Sequence, residues 1–285
     1  DGHTVNVLTR KPKSENDIYW NGETAGGWTE QLNGADVLVN MAGKSVDCRY
    51  TEENKKRIYD SRLKSTAILG KAVAAMNNPP AVWLNSSTAT IYRHAEDRPM
   101  DEETGEIGTG FSVDVATKWE ETFFSENLPQ TRRVALRTAI VLGKEGGALV
   151  PLKRLVQFGL GGKQGNGKQM FSWIHEEDFY GAIIHLINVK SIVGAINISA
   201  PNPLKNSVMM SLLRKKMNVP FGIPSPRWLL QIGAIIIRTE TELVLKSRWV
   251  LPTNLLTSGF SFKYSHLGEA LDDLISSENV FKACS

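Results

Sequence analysis

Short apolar runs alternate with segments of helical period through the first half of the 285-residue chain. Runs of the kind that form strands occupy residues 4–9, 37–40, 81–87 and 134–142. The segments between them have the period of a helix, and in the longest of them the apolar residues recur every three to five positions. Strands that alternate with helices in this way predict a parallel β-sheet built from βαβ units.

The longest helical segment begins near residue 51. Thr51 is a favourable N-cap residue, and Glu52 and Glu53 follow in the first turn, where carboxylates interact well with the helix dipole. We therefore predict a long helix with a core-facing stripe. The stripe consists of Ile58, Leu63, Ile68, Leu69, Val73 and Met76.

The second half of the chain is richer in glycine, aromatic residues and proline. A helix reaching about Phe158 is followed by a glycine-rich run (159–167) that leads into an aromatic strand over residues 170–175. The last third holds one more strand, residues 194–199, among helices separated by prolines. These proline-separated helices predict a small, mainly helical lobe packed over the end of the sheet.

Composition excludes several classes of protein. With 33 basic and 30 acidic residues spread along the chain, the net charge of +3 indicates neither a nucleic-acid surface nor a membrane-binding face. The two cysteines, Cys48 and Cys284, form no disulfide or zinc pattern, which favours a reducing cytoplasm. The longest apolar stretch, residues 228–237, is too short to span a bilayer.

Residues 162–168 nearly match the phosphate-binding P-loop pattern. Gln169, however, stands where that pattern needs a serine or threonine, and the segment follows a helix rather than a buried strand. The segment is therefore expected to be a flexible loop near a ligand and not a nucleoside triphosphate site.

His175 and His185 lie on either side of the acidic residues 176–178, but their spacing matches no common metal motif. Acids at a helix start explain the acidic segment better, so no metal site is predicted. His175 itself lies at a strand end beside the glycine-rich loop, where side chains often face a ligand. A structural hydrogen-bonding role for His175 is an equal alternative.

Basic residues end the first strand. Thr9, Arg10 and Lys11 occupy the strand end that approaches the adenine ribose in dinucleotide-binding folds, and no acid accompanies them. An arginine suits a 2′-phosphate, whereas a carboxylate would repel it. The pattern favours NADP(H) over NAD(H), and an ordinary basic surface is the alternative.

Several motifs together resemble the extended short-chain dehydrogenase/reductase superfamily, of the NAD-dependent epimerase/dehydratase type. The turn at Asn40 and the segment that ends at Tyr92 resemble its nucleotide-binding turn and active-site strand. Further motifs narrow the resemblance to an atypical branch, the epimerase family proteins that are also labelled SulA-like. These motifs are Ser61-Arg-Leu-Lys-Ser-Thr66, Lys118-Trp-Glu120, Arg137-Thr-Ala-Ile-Val-Leu-Gly143, Gly146-Gly-Ala-Leu149, Trp173-Ile-His175, Val250-Leu-Pro252 and Ser258-Gly-Phe-Ser-Phe262.

The resemblance implies an α/β fold, a Rossmann-like doubly wound parallel sheet with a small, mainly helical C-terminal substrate lobe. Residues 1–165 would form the NADP-binding domain, and residues 166–285 would complete the sheet and form the lobe. Family members begin with a strand, a glycine-rich turn and a helix, so about 20 residues or more would precede Asp1.

The resemblance also implies a departure in the chemistry. The superfamily uses a tyrosine, a lysine four residues later, and a serine or threonine to move the proton that accompanies hydride transfer. Ser112 occupies the tyrosine position and Ala116 the lysine position, whereas Thr88 keeps the hydroxyl. The usual epimerase or reductase mechanism therefore does not transfer directly.

Other residues would contact the cofactor by the same resemblance. Thr9 and Arg10 would hold the 2′-phosphate, and Lys11 follows them as a further cofactor-binding candidate. Arg62 would lie near the phosphates or ribose, with a helix-surface role as the alternative. Four residues at strand ends would also contact the cofactor: Met41, Ala42 and Gly43 beneath the adenosine, and Val141 near the nicotinamide. Core packing is the alternative for Met41 and Val141.

The leading functional hypothesis is an NADP(H)-dependent oxidoreductase or epimerase-like enzyme acting on a small carbonyl or hydroxyl compound, as a monomer or homodimer. His175 or Tyr92 would supply the proton, and Thr88 would polarise the carbonyl. The competing hypothesis is a sensor that binds NADPH without turning it over, because Ser112 and Ala116 replace the tyrosine and lysine. A cell-division regulator that acts through protein contacts is a third possibility.

Overall fold

A computed structural model of the chain describes residues 2–230 and 245–282. The strands β1 to β10 span Val7–Thr9, Asp17–Tyr19, Val37–Asn40, Val82–Thr88, Arg132–Thr138, Ile140–Leu142, Met170–Phe171, Trp173–His175, Gly194–Ile198 and Leu204–Lys205. The helices α1 to α8 span Trp28–Leu32, Glu52–Ala74, Phe111–Phe124, Leu149–Gln157, Glu176–Asn188, Asn206–Lys216, Thr253–Thr257 and Leu267–Lys282.

The central sheet is parallel, as the alternation of apolar runs predicts. Its strands lie in the order β3, β4, β5, β9, so the second half of the chain supplies an edge strand. Strands β1 and β2 pair in parallel as a separate two-stranded sheet. The α/β class and the Rossmann-type arrangement of strands are therefore confirmed.

Both faces of the sheet are covered by other elements. Neighbouring residues of a strand point to opposite faces, so each face presents its own apolar side chains. On β4, Val82 and Leu84 pack with helix α5 and strand β9 on one face. Trp83 points to the other face, where it packs with α1, α2 and the ring of Phe123 at 4.8 Å. Apolar residues at every position of a strand are what a sheet buried on both faces requires.

Helix α2 begins and packs as its sequence predicts. The Thr51 side chain accepts a hydrogen bond from the backbone N–H of Asn54, which satisfies one of the free donors of the first turn. Ile58, Leu69 and Val73 are buried on its inner face. The helix ends at Ala74, so the predicted member Met76 lies just beyond it.

Two predicted strands are each divided in the structure. The run 134–142 becomes β5 and β6, with β6 pairing β8 instead of the central sheet. The run 170–175 becomes β7 and β8 because Ser172 between them binds another segment. Its buried hydroxyl donates to the carbonyl of Arg248 at 2.7 Å and accepts from the backbone N–H of Val250 at 2.9 Å.

The C-terminal segment adds a helical layer beside β8. Helices α4, α6 and α8 share one apolar cluster that includes Leu149, Met210 and Leu271. Across residues 2–230 and 245–282, no helix is long and apolar enough to cross a membrane.

Candidate functional site

A cavity of about 350 Å³ opens at the carboxyl ends of β3 and β4, between α2 and α3. In parallel α/β sheets, ligands bind in the crevice outside the carboxyl ends of the strands, so this strand-end cavity is the candidate active site. Its lining residues are Met41, Gly43, Lys44, Ser45, Val46, Tyr50, Ile58, Arg62, Ser86, Ser87, Thr88, Thr90, Phe111, Ser112, Val115, Ala116 and Trp119.

The lining of the strand-end cavity is cationic and rich in hydroxyl groups. Of the residues that line it in the described part of the chain, Lys44 and Arg62 are charged and none is acidic. Six serine and threonine side chains and three aromatic rings complete the wall. Such a lining suits an electron-rich or anionic ligand with a flat apolar part.

Buried Asn40 fixes the turn that leads from β3 into the cavity wall. Its amide donates to Oδ1 of Asn85 at 2.7 Å and to Oγ1 of Thr66 at 3.1 Å. Its Oδ1 accepts from the backbone N–H of Ala42 at 3.0 Å. The side chain therefore joins β3, β4 and α2 and holds the following backbone in place.

Arg62 projects from α2 into the same wall. Its Nη1 donates to the carbonyl of Lys44 at 3.0 Å, and its guanidinium lies 5.1 Å from the ring centre of Trp119. A Cβ at Gly43 would stand 3.2 Å from the guanidinium carbon, so a glycine leaves Arg62 its room. Burial lowers the pKa of Arg62, and no carboxylate pairs with it among the described residues.

Thr88 lies at the end of β4 and lines the cavity opposite α3. Its Oγ1 accepts a hydrogen bond from the backbone N–H of Thr90 at 3.1 Å, which leaves the hydroxyl proton available. Ser112 and Ala116 face the cavity from the first turns of α3. The structure thus brings the retained hydroxyl and the two substituted positions together.

Tyr92 lies outside the cavity, within a buried polar network. Its hydroxyl donates to Oδ1 of Asn197 at 2.9 Å and accepts from Nη1 of Arg137 at 2.9 Å. Burial raises the pKa of Tyr92, and the charge of Arg137 opposes that effect. With its proton engaged and its side chain 2% exposed, Tyr92 lies outside the strand-end cavity, in which its predicted role as proton donor would place it.

His175 is also removed from the strand-end cavity, because it is fully buried beneath the C-terminal lobe. Its Nδ1 accepts from the backbone N–H of Glu177 at 3.1 Å, which makes it the N-cap of α5. Its ring stacks on Tyr264 at 4.0 Å, and Nε2 lies 3.3 Å from Oδ2 of Asp273. These contacts are those of the structural alternative, and none of them lies in the strand-end cavity.

The glycine-rich run packs against the C-terminal part of the chain and not against the cavity. Gly165 N–H donates to the carbonyl of Ser225 at 2.8 Å, and a Cβ at Gly162 would stand 2.4 Å from the nitrogen of Pro224. The buried side chains of Gln164 and Asn206 bond each other at 2.9 Å. These contacts correct the expectation of a flexible loop near a ligand.

The basic residues at the end of β1 lie apart from the strand-end cavity. Thr9 Oγ1 accepts from the backbone N–H of Lys11 at 3.3 Å, and the side chains of Arg10 and Lys11 are exposed. Both cations therefore remain accessible to a ligand at the strand end, and their contact with a 2′-phosphate stays a prediction.

The remaining predicted cofactor contacts divide into two groups. Met41 and Gly43 line the cavity, where Met41 is 56% exposed and its sulfur accepts from the Ser86 hydroxyl at 3.1 Å. Ala42 packs into the core between the sheet and α2. Val141 packs in the core on the opposite face, as its core-packing alternative describes.

Sequence reasoning missed Lys44, Tyr50 and Trp119 as parts of this wall. Tyr50 comes from the loop between β3 and α2, where no motif marks it. One local signal could have indicated Tyr50. It directly precedes the N-cap Thr51, so its ring must lie close to the first turn of α2.

Comparisons with known proteins fit this architecture. Residues 225–274 match a family model described as a domain of unknown function, DUF1731. The chain is 34% identical over 281 residues to an epimerase family protein of Staphylococcus aureus (strain bovine RF122 / ET3-1), covering 97% of this chain and 92% of that protein. It is 32% identical to the chloroplastic epimerase family protein SDR39U1 homolog of Arabidopsis thaliana, covering 95% of this chain and 79% of that protein.

A solved structure of another epimerase family protein has a similar fold. Human epimerase family protein SDR39U1 (isoform 2), crystallised with NADPH, aligns with a TM-score of 0.88 at 29% identity, over 96% of this chain and 92% of that one. Sequence and structure agree along nearly the whole length. The chain therefore belongs to the epimerase family, an atypical branch of the short-chain dehydrogenase/reductase and NAD-dependent epimerase superfamily.

Proposed function

We propose that this protein binds NADP(H) along the carboxyl ends of β1, β3 and β4 and is an oxidoreductase or epimerase-like enzyme. Its substrate would be a small carbonyl or hydroxyl compound in the strand-end cavity. The observation that carries this proposal is the Thr88 hydroxyl in a cationic cavity at the end of β4. The presence of NADPH in the human SDR39U1 structure supports it.

The residues present fit a phosphorylated dinucleotide. Arg10 is exposed at the end of β1, and no acid pairs with it in the described part of the chain. Arg62 is partly buried with its charge unbalanced by a carboxylate there, and Gly43 leaves it open to the cavity. Arg10 and Thr9 would hold the 2′-phosphate, and Arg62 would face the phosphates or ribose.

When bound, NADPH supplies the hydride. Thr88 has its own proton to offer, because its oxygen already accepts from Thr90 N–H. In the strand-end cavity the Thr88 hydroxyl would donate a hydrogen bond to the carbonyl oxygen of the substrate. That bond would polarise the carbonyl group and orient its carbon. Lys44 and Arg62 would attract an electron-rich substrate.

Cofactor binding is tested by titrating the protein with NADPH and with NADH while cofactor fluorescence is recorded. We expect Arg10→Ala to weaken NADPH binding about tenfold and to change NADH binding less than twofold, because the lost contact is to the 2′-phosphate alone. Lys13→Ala is the matched control, an exposed cation three residues away. Equal wild-type affinities for NADPH and NADH would remove the role of Arg10.

Turnover is tested by following NADPH oxidation with a panel of small aldehydes, ketones and keto acids. Thr88→Val keeps the side-chain shape and removes the hydroxyl, so we expect kcat to fall about 100-fold with NADPH affinity preserved. Ser45→Ala, which removes another hydroxyl of the wall, controls for general effects on the cavity. The proposal fails if no compound accelerates NADPH oxidation above the rate without protein.

The second candidate function is an NADPH sensor without turnover. It is favoured by the small side chains of Ser112 and Ala116 at the two cavity positions where the superfamily carries its tyrosine and lysine. Tight NADPH binding together with an inert panel would decide for the sensor.

A further inference from the structure

Tyr50 brings a phenol into the strand-end cavity from outside α3. It precedes the N-cap Thr51, is half-buried, and packs edge-on against Phe111 with ring centres 4.8 Å apart. Its hydroxyl oxygen lies 3.5 Å from Oγ of Ser112. A phenol therefore lies beside Ser112, the residue of α3 that the resemblance aligns with the tyrosine of the superfamily.

Arg62 supplies a cation to the same region. Its guanidinium lines the cavity and is held by the carbonyl of Lys44 and the face of Trp119. Burial lowers the pKa of Arg62, and the negative charge of an ionised Tyr50 would raise it. Both side chains line the same cavity, so the guanidinium of Arg62 is the cation available there to a phenolate of Tyr50.

We propose that Tyr50 is the catalytic proton donor and acceptor of this enzyme and that Arg62 stabilises its phenolate. A loop tyrosine and an arginine of α2 would then do what the tyrosine and lysine of α3 do elsewhere in the superfamily. The inference rests on the proposed oxidoreductase function and names its acid-base pair.

The small residues of α3 are consistent with this exchange. A tyrosine at position 112 would compete for the space that the Tyr50 hydroxyl occupies 3.5 Å from Oγ of Ser112. Ala116 is fully buried and carries no charge, so the cation beside the phenol must come from elsewhere. Among the described residues that line the cavity, Tyr50 is the one whose hydroxyl is a phenol, and serine or threonine hydroxyls are far weaker acids.

The step balances with the cofactor as the reductant. The substrate carbonyl carbon gains a hydride, with its electron pair, and becomes the carbon of an alcohol. The carbonyl oxygen takes the proton of the Tyr50 hydroxyl while Thr88 holds it by a hydrogen bond. The Tyr50 oxygen is left as a phenolate beside Arg62 and recovers a proton from water. In the reverse direction the phenolate accepts the proton of the alcohol.

Kinetics provide the first test. Tyr50→Phe keeps the ring against Phe111 and removes the acid, so we expect kcat to fall 100-fold or more while NADPH affinity changes less than twofold. Tyr180→Phe is the matched control, an exposed tyrosine of α5 away from the cavity. Wild-type turnover with an unimpaired Tyr50→Phe variant would overturn the inference while leaving the proposed function standing.

The second test needs no substrate. In protein labelled with carbon-13 at the tyrosine ζ carbon, the six tyrosine signals are titrated with pH, and Tyr50→Phe identifies the signal of Tyr50. We expect Arg62→Gln to raise the midpoint of that signal by about one pH unit or more, since it removes a nearby opposite charge. The midpoint of Tyr180 should stay unchanged.

The two tests separate the possible failures. A Tyr50 midpoint that ignores Arg62→Gln overturns the acid-base pair whether or not a substrate is found. If the pair is present but no compound is turned over, the proposed function fails and the catalytic role of Tyr50 fails with it. If turnover is present, the pH at which kcat changes should be higher in Arg62→Gln than in wild type. That result supports an effect of Arg62 on the protonation of Tyr50, which cofactor contact alone would not produce.

Discussion

A largely buried ion pair between β5 and α3 provides the strongest test of how this fold is held together. Arg137 of β5 makes two bonds to Glu120 of α3, Nε to Oε1 at 2.9 Å and Nη2 to Oε2 at 2.8 Å. The side chains are 13% and 12% exposed. Ser87 donates to the same carboxylate, and Tyr92 accepts from the third Arg137 nitrogen. Replacing Arg137 with methionine removes the charge and keeps much of the packing.

The expected loss follows from what Arg137→Met leaves behind. Glu120 would stay buried with one hydrogen bond from Ser87, and Tyr92 would lose one of its two partners. Burial alone lowers the pKa of Arg137, and the contacts with Glu120 raise it above its ordinary value, so the charged pair is favoured in the folded protein. Breaking a buried pair costs about 3–5 kcal/mol, and the remaining exposure places this one near about 3 kcal/mol.

Urea and thermal denaturation measure this loss. A change of about 3 kcal/mol corresponds to a fall in Tm of roughly 5 °C for a chain of this size. The double variant Glu120→Leu/Arg137→Met, which removes both charges, should recover at least half of the loss because no unpaired charge remains.

The exposed pair of Arg57 with Glu53, 3.6 Å apart on α2, provides the control. We expect Arg57→Met to cost less than about 0.5 kcal/mol, as surface pairs do. A cost below about 1 kcal/mol for Arg137→Met, or a double variant no more stable than the single one, would refute the reasoning.

Three further predictions concern stability. Asn40→Ala should lower the free energy of unfolding by about 2 kcal/mol, because it leaves buried Asn85 without its donor; denaturation unchanged within about 0.5 kcal/mol would contradict this. Leu84→Ala, in the fully buried part of β4, should cost about 3 kcal/mol, whereas Leu256→Ala, 46% exposed, should cost less than about 1 kcal/mol by the same measurement. Burial raises the pKa of Glu102, so the folded protein holds that proton to higher pH than the unfolded chain, and the resulting stability is lost as pH rises through the folded-state pKa. Glu102→Gln should therefore gain stability relative to wild type as pH rises above the ordinary pKa of glutamate, and parallel curves would exclude the effect.

The sheet and its longest helix follow from local patterns. Strand β3 has the predicted bounds, and β4 is shifted by one residue, because a short apolar run bounded by polar residues has clear ends. Thr51 caps α2 because its side chain needs only the backbone three residues later. Each of these features depends on neighbours in the sequence.

The divided strands depend on distant partners instead. Ser172 separates β7 from β8 by bonding Val250, a residue 78 positions away. Tyr92 is held by Asn197, 105 positions away, and by Arg137, 45 positions away. Period and propensity carry no information about such pairings, so neither the breaks nor the buried position of Tyr92 could be predicted.

The acid-base chemistry of the site also depends on residues that are distant in the sequence. Ser112 and Ala116 on α3 indicate that the tyrosine and lysine are lost, which favours a sensor. Proton transfer, however, depends on where a phenol and a cation lie, and the loop before α2 brings the Tyr50 hydroxyl to 3.5 Å from Ser112, with Arg62 in the same wall. The proposed pair of Tyr50 and Arg62 would give the cavity a group that can move a proton, which a sensor does not need. Turnover that depends on Tyr50 would therefore favour the enzyme over the sensor.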